Sequence, residues 1–156
     1  MLQYKIDAYY SKVIGIVFYQ KIIKTMGILF KATLVLEGME FEVLNLSYGF
    51  NRYIDDRGQP TSNMRSNLIQ LELAMQNRSF WMQWATNPYA AKDGCIDLYV
   101  NSGNPYAERL EFERAYLIEF SERIDTKKSE AILQLSLSAK KISYGNAVHE
   151  NPWPEA

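Results

Sequence analysis

The side chains that most often carry out catalysis are few in this sequence and poorly placed for it. His149 is the only histidine and Cys95 the only cysteine, which excludes a metal site built from several such residues. Asp55 and Asp56 are adjacent, so their side chains diverge in an extended chain and make a poor glycosidase pair. The sequence contains neither a glycine-rich phosphate loop nor a Gly-x-Ser-x-Gly motif. We therefore predict no catalytic residue, no metal or other cofactor, and no enzymatic activity.

Two further arrangements are equally unsupported as chemistry. Ser47 or Ser62 could join His149 in a triad only by chance, because nothing in the spacing favours it. A stripe of glutamates has no neighbour that indicates a general base, and an exposed strand face explains it better. Its members are Glu111, Glu113, Glu119 and Glu122. Cys95 lies in an apolar run, which favours a small core residue over a reactive thiol.

Charge and cysteine content limit the class of partner and of compartment. The net charge is −1, with 17 basic and 18 acidic residues, and four of the lysines lie within the first 26 residues. The rest of the chain is therefore mildly acidic, which argues against a nucleic-acid partner, since such a partner requires a basic face. A single cysteine allows no intrachain disulfide, which fits a reducing compartment or export in a folded state.

The first 26 residues differ from the remainder. Their apolar run, residues 13–19, is too short to span a bilayer, and no small-x-small cleavage site follows it. We interpret residues 1–26 as an N-terminal extension, either upstream of the native start or a disordered or helical anchoring segment. Residues 27–156 are predicted to form a single domain, without membrane insertion.

From residue 28 onward the pattern is strand after strand, interrupted by one helix. Alternation predicts six or seven strands, and the change of apolar parity between Val43 and Leu44 indicates either a bulge or a strand covered on both faces. One short helix is predicted to begin at about Arg78 and to end at about Ala85, because Phe80 with Trp84 and Trp81 with Ala85 are pairs at the i,i+4 spacing of a helix. The fold class is mainly β: an antiparallel two-sheet β-barrel with one short α-helix.

An oversized polar excursion separates two of the strands. The run ending at Phe50 gives way to charge, glycine and proline, and alternation resumes near Asn67. Hairpin loops usually take about 2–5 residues, so an excursion of about ten is typical of a functional or binding segment.

Several short strings occur in order over residues 28–154. They are Tyr48-Gly49-Phe50-Asn51-Arg52 followed by Asp55, Gly58, Pro60 and Ser62; Asn87-Pro88; Phe112-Glu113-Arg114-Ala115-Tyr116-Leu117 with Ser121-Glu122; and Ser138-Ala139-Lys140-Lys141-Ile142 with Gly145-Asn146-Ala147 and His149-Glu150-Asn151-Pro152-Trp153-Pro154. These strings resemble the type VI secretion tube protein family (Hcp or TssD), in its Bacteroidetes-type branch. Each string is weakly specific alone, and together they are fairly specific. Residues 1–25 have no counterpart in the family.

The resemblance implies an Hcp-like barrel that closes into hexameric rings, which stack into a tube inside a contractile sheath. It implies a structural protein that carries or chaperones effectors and contacts sheath, spike and baseplate proteins. Such a protein resides in the bacterial cytoplasm before firing and is then secreted by the type VI machine without a signal peptide. On this resemblance, the polar excursion is expected to be an assembly loop that stacks rings or contacts a neighbouring subunit. Its candidate residues are Asn51, Arg52, Asp55, Asp56, Arg57, Gly58, Pro60 and Ser62. The C-terminal signature adds Gly145, Asn146, His149, Asn151 and Trp153.

Two hypotheses about contacts remain open at this level. The glutamate stripe could face Arg52, Arg57 or Arg65 of a neighbouring copy, on charge complementarity alone. The alternative to a tube subunit is a monomeric β-barrel ligand-binding module, with its pocket formed by the tryptophan-rich helix and aromatic strands.

Overall fold

The computed structural model describes residues 29–101 and 106–154. The elements are β1 (Leu29–Leu36), β2 (Met39–Ser47), β3 (Phe50–Asn51), β4 (Arg65–Ser66), β5 (Ile69–Ala74), α1 (Arg78–Thr86), β6 (Ala91–Asn101), β7 (Tyr106–Asp125), β8 (Glu130–Tyr144) and β9 (Ala147–Glu150). Among the described residues, 31–98 and 108–154 form one compact unit, and residues 29–30, 99–101 and 106–107 belong to another. The predicted N-terminal extension of residues 1–26 lies outside the described residues.

Six strands of the main unit close into an antiparallel barrel. The order in the sheet is β5-β2-β1-β6-β7-β8-β9, and β5 also pairs with β8, which joins the two sides of the sheet. A closed barrel leaves no free edge along the paired strands. The predicted mainly β barrel with one short helix is confirmed. More strands occur than the predicted six or seven, because the excursion contains β3 and β4 and the polar tail contains β9.

The barrel interior is filled by alternate residues of the strands, as the sequence pattern predicts. In β5, Ile69, Leu71 and Leu73 are buried, and they lie opposite alternating leucines of β8. The apolar pattern of β8 shifts by one residue at residues 140–141, and the buried face changes with it, since Ala139 and then Ile142 are buried. The β1–β2 hairpin turns at Glu37 and Gly38, both with positive φ, which is the backbone of a two-residue hairpin loop.

Helix α1 covers the barrel with its two tryptophans. Trp81 and Trp84 are 0% and 2% exposed, and their indole N–H groups donate to the carbonyls of Gln76 and Ala90. Asn77 is the N-cap residue, with a φ of 51°; its side chain makes no capping hydrogen bond to a main-chain N–H, although its Oδ1 accepts from the Ser79 hydroxyl at 3.2 Å. Each buried indole thus has its polar atom satisfied, so the helix is a structural component of the core.

Strands β2 and β7 also change the face that they bury, and of these two changes only the one in β2 was predicted. The bulge, one of the two alternatives expected at Leu44, is confirmed by a register shift between Val43 and Asn45. In β7, simple alternation from Phe112 predicts that Ile118 is buried, but this is wrong: the strand changes its buried face between Phe112 and Ala115, and Ile118 is 53% exposed. A second register shift, between Leu117 and Glu119, leaves Ile118 as the extra residue.

Candidate assembly site

The polar excursion is an ordered hairpin that extends beyond the barrel, and we call residues 50–66 the arm. At its base β3 pairs with β4, with Phe50 opposite Ser66 and Asn51 opposite Arg65. Towards the tip, Ile54 and Pro60 form an isolated antiparallel bridge. The excursion is therefore a preformed projection that continues the β2–β5 pair.

Three of the predicted assembly residues shape the arm itself. Asp55 Oδ1 accepts hydrogen bonds from the main-chain N–H of Arg57 at 2.9 Å and of Gln59 at 2.8 Å. Gly58 has a φ of 81° and donates its N–H to the carbonyl of Asp55, which closes the tip. Ser62 Oγ accepts from the N–H of Tyr53 at 2.8 Å. These interactions are internal, so Asp55, Gly58 and Ser62 determine the arm's shape.

The remaining predicted arm residues are free to meet a partner. Every residue from 51 to 60 is exposed, including Asn51, Arg52, Asp56, Arg57 and Pro60. The sequence-based prediction missed the two apolar members of this stretch. They are Tyr53 and Ile54, 65% and 64% exposed, and the guanidinium of Arg65 lies 5.5 Å from the Tyr53 ring centre. The sequence signal that could have identified them as contact residues is their apolar character inside an otherwise polar excursion.

The C-terminal signature meets the base of the arm. The Asn151 side chain contacts Ser66 of β4, and the His149 ring packs edge-on against Phe50 of β3 at 5.2 Å between centroids. Trp153 lies farther along the tail, with its ring 5.9 Å from that of Tyr116.

The rest of the signature has a different position. Gly145, with a φ of 57°, and Asn146 form the two-residue turn between β8 and β9. The structure therefore brings together the arm and two of the five signature residues, His149 and Asn151.

The glutamate stripe is partly neutralised within the chain. Glu113 accepts a hydrogen bond from Lys141 Nζ at 2.7 Å, and this bond raises the pKa of Lys141 above its ordinary value. Glu122 forms an ion pair with Arg78, and Glu119 accepts from the hydroxyl of Ser136 at 2.7 Å. The neighbour-facing hypothesis for this stripe stays a prediction, with fewer free carboxylates than the sequence suggested.

A shallow groove of about 750 Å³ crosses four adjacent strands of the barrel. Its walls are mainly polar and contain Asn45, Ser47, Gln70, Leu71, Glu72, Ile118, Glu119, Phe120, Ser121, Gln134, Leu135 and Ser136. Within these walls Gln134 donates to Glu72 at 2.8 Å. The bulged residue Ile118 forms an apolar point in this polar surface.

The described residues show no grouping of three or more His, Cys, Asp or Glu able to hold a metal ion. Both tryptophans of the helix, which the alternative hypothesis places in a ligand pocket, are buried in the core, so neither indole is exposed to a ligand. Within the described part of the chain, no helix has the length and apolarity needed to cross a membrane.

Comparisons with known proteins agree with this architecture. Among solved structures, Hcp1 from Flavobacterium johnsoniae superposes with a TM-score of 0.70 at 26% identity, covering 78% of this chain and 99% of that one. A mutant of Hcp1 from the E. coli EAEC 042 pathovar gives 0.60 at 14% identity, covering 80% and 97%, and so shows the fold alone. A search of curated proteins finds no significant match. Residues 28–154 match the family model described as TssD, hemolysin coregulated protein Hcp. The chain belongs to the Hcp (TssD) family, whose members are structural tube proteins of type VI secretion.

Proposed function

We propose that this chain is a tube subunit whose copies close into hexameric rings, which stack through the arm. The observation that carries the proposal is the arm itself: an ordered projection whose tip exposes Tyr53 and Ile54 to solvent. Large exposed apolar side chains on a projecting element are typical of an interaction site.

The arm is organised for binding before any partner arrives. Its turn is held by the Asp55 carboxylate, and Thr61 donates its N–H to the carbonyl of Tyr53 at 2.9 Å. A segment already in its bound shape loses less conformational entropy on association. The arm's three arginines and two aspartates would then set the orientation of one ring on the next.

Ring closure needs two different surfaces on each subunit that meet by rotation. The two bulges provide candidate apolar contacts, because each turns an aliphatic side chain outward. These are Leu44 in β2 and Ile118 in β7, 50% and 53% exposed. The polar groove that contains Ile118 fits the rim of such an interface, where hydrogen bonds and water are common.

Family membership supports the remaining roles. The tube would carry or chaperone effector proteins and contact sheath, spike and baseplate proteins, without catalytic turnover. The subunit would reside in the bacterial cytoplasm before firing and leave through the type VI machine.

The oligomeric state tests the proposal directly. We expect a chain that starts at Met26 to run as a hexamer in size-exclusion chromatography with light scattering, and to form stacked rings in electron micrographs at high concentration. A strictly monomeric species at high concentration would contradict the proposal and favour a ligand-binding module that uses the groove.

The arm and the ring face can be tested separately. Deletion of residues 54–59 should leave hexamers but abolish stacks, and unchanged stacks would rule out this assignment of the arm. Ile118→Asp should dissociate the hexamer. Ile124→Asp is the matched control, since it changes the same residue type in β7 at a similar exposure of 57%, outside the groove.

A further inference from the structure

We propose that Asn151 is a positioning residue that clamps the base of the arm, so that the C-terminal tail determines how the arm is presented. The functional consequence of this inference rests on the proposed function, because it assumes that the arm stacks rings. Its structural basis is independent of that assumption.

The ladder between the barrel and the arm is interrupted. The last pair of β2 and β5 is Ser47 with Gln70, and pairing resumes only at Phe50 with Ser66. Between these pairs, the N–H of Asn67 donates to the carbonyl of Gly49 at 2.8 Å. An interrupted ladder resists bending less than a continuous one, so this point is a candidate hinge.

The tail bridges the hinge, because it contacts the barrel as well as the arm. β9 pairs with β8, and the N–H of Asn151 then donates to the carbonyl of Lys140 at 2.8 Å, which anchors the tail to the barrel. From this anchor the tail contacts both members of the first arm pair. His149 packs on Phe50, and Asn151 bonds Ser66.

The Asn151 amide uses its full hydrogen-bonding capacity at this joint. Its Nδ2 donates to Ser66 Oγ and, at 2.9 Å, to the carbonyl of Ala139 in β8. Its Oδ1 accepts from the N–H of Ser66 at 3.3 Å and lies 3.1 Å from Nε2 of His149. A side chain that bonds the arm on one side and the barrel on the other is suited to fix the angle between them.

The clamp predicts a local effect that general destabilisation would not produce. Asn151→Ala removes the side-chain bonds but keeps the main-chain bonds that anchor the tail. Native-state hydrogen exchange of the full chain should then become about tenfold faster at Ser66 and across the arm, as expected for losing about one net hydrogen bond. Exchange of barrel amides that open by local fluctuation, and not by global unfolding, should stay unchanged. Equal acceleration in arm and barrel, or none in the arm, would overturn the proposal.

A second variant tests the clamp even if Asn151→Ala does not fold. Asn151→Asp keeps the shape but, when ionised, cannot donate to the Ala139 carbonyl. Its arm should exchange fast at neutral pH and regain protection below about pH 4, where a carboxylic acid is protonated and can donate again. An arm equally protected at both pH values would contradict the clamp. Gln83→Ala, an exposed amide on α1, is the control that should leave arm exchange unchanged.

Electron microscopy of the same variants separates the clamp from the proposed function. If the unaltered chain stacks, Asn151→Ala should shorten or abolish the stacks while hexamers persist. A loosened arm with undiminished stacking would overturn the positioning role. If the unaltered chain forms no stacks, the proposed function fails, and the exchange data alone decide whether Asn151 clamps the arm.

Discussion

The carboxylate of Asp93 in β6 accepts a hydrogen bond from the main-chain N–H of Arg114 in β7, with 2.7 Å between Oδ1 and N. Arg114 has a φ of 50°, a conformation that few residues other than glycine adopt. At this point β7 changes its buried face, from Phe112 to Ala115. Asp93 therefore stabilises an unusual backbone conformation on which the course of the longest strand depends.

Loss of that acceptor should reduce stability modestly. Asp93→Ala is expected to lower the free energy of unfolding by about 1 kcal/mol, since it removes one exposed hydrogen bond to a charged group. Asp93→Asn keeps an acceptor oxygen and should cost less. Urea denaturation at equal protein concentration measures both, and an Ala variant as stable as the unaltered chain would contradict the role given to Asp93.

Gly94 is predicted to be the least replaceable glycine among those described. A Cβ there would lie 2.6 Å from Leu36 Cδ2 and 2.7 Å from both Phe112 Cζ and the main-chain oxygen of Val35. Gly94→Ala should therefore cost about 3 kcal/mol, because the main-chain contact cannot yield as a side chain can. Gly49→Ala is the matched control, since its nearest contact is the side chain of Asn67 at 3.3 Å, and it should change stability by less than about 1 kcal/mol. Similar losses in the two variants would contradict this packing argument.

Asp55 is predicted to order the arm's tip through its carboxylate. Asp55→Ala removes the acceptor for two N–H groups, so the amides of Arg57 and Gln59 should exchange with solvent about tenfold faster. Asp56→Ala changes the neighbouring exposed carboxylate and should leave those two exchange rates unaltered. Hydrogen exchange followed by NMR distinguishes them, and equal effects would show that the turn does not depend on Asp55 in particular.

The Cys95 thiol is predicted to react slowly at neutral pH. Burial raises its pKa above the usual value of about 8.5, while the nearby charge of Arg109 acts in the opposite direction. Because the thiolate is the reactive form, alkylation by iodoacetamide at pH 7.5 should be slower than that of an unfolded peptide thiol. Arg109→Gln should raise the pKa further and slow the reaction more.

The same shift predicts how stability depends on pH. The folded chain holds the Cys95 proton more tightly than the unfolded chain does, so this contribution is fully present below about pH 8.5 and is lost as pH rises through the folded pKa. Alkylation faster than in an unfolded peptide would contradict both expectations.

Much of the fold could be predicted from local pattern. Alternation in β5 and β8 identified buried residues correctly, and the i,i+4 spacing of Phe80 with Trp84 and of Trp81 with Ala85 identified α1 to within one residue of its end. These signals are local, since the side on which a residue lies follows from the geometry of its own strand or helix. The wrong prediction for Ile118 has a non-local cause. The bulge in β7 depends on the pairing of β7 with β8, which the alternation within a single strand does not reveal.

The candidate assembly site was likewise predictable from the sequence only in part. The sequence alone determined that an oversized polar excursion interrupts the strands, that no catalytic cluster is readable, and that the motifs resemble one family. Only the tertiary structure decided which residues of the excursion face inward to build the arm and which remain exposed. It also placed Asn151 against Ser66, 85 positions earlier in the chain. Such a contact depends on the registers of all the strands that close the barrel, and those registers cannot be predicted from any single local stretch of sequence.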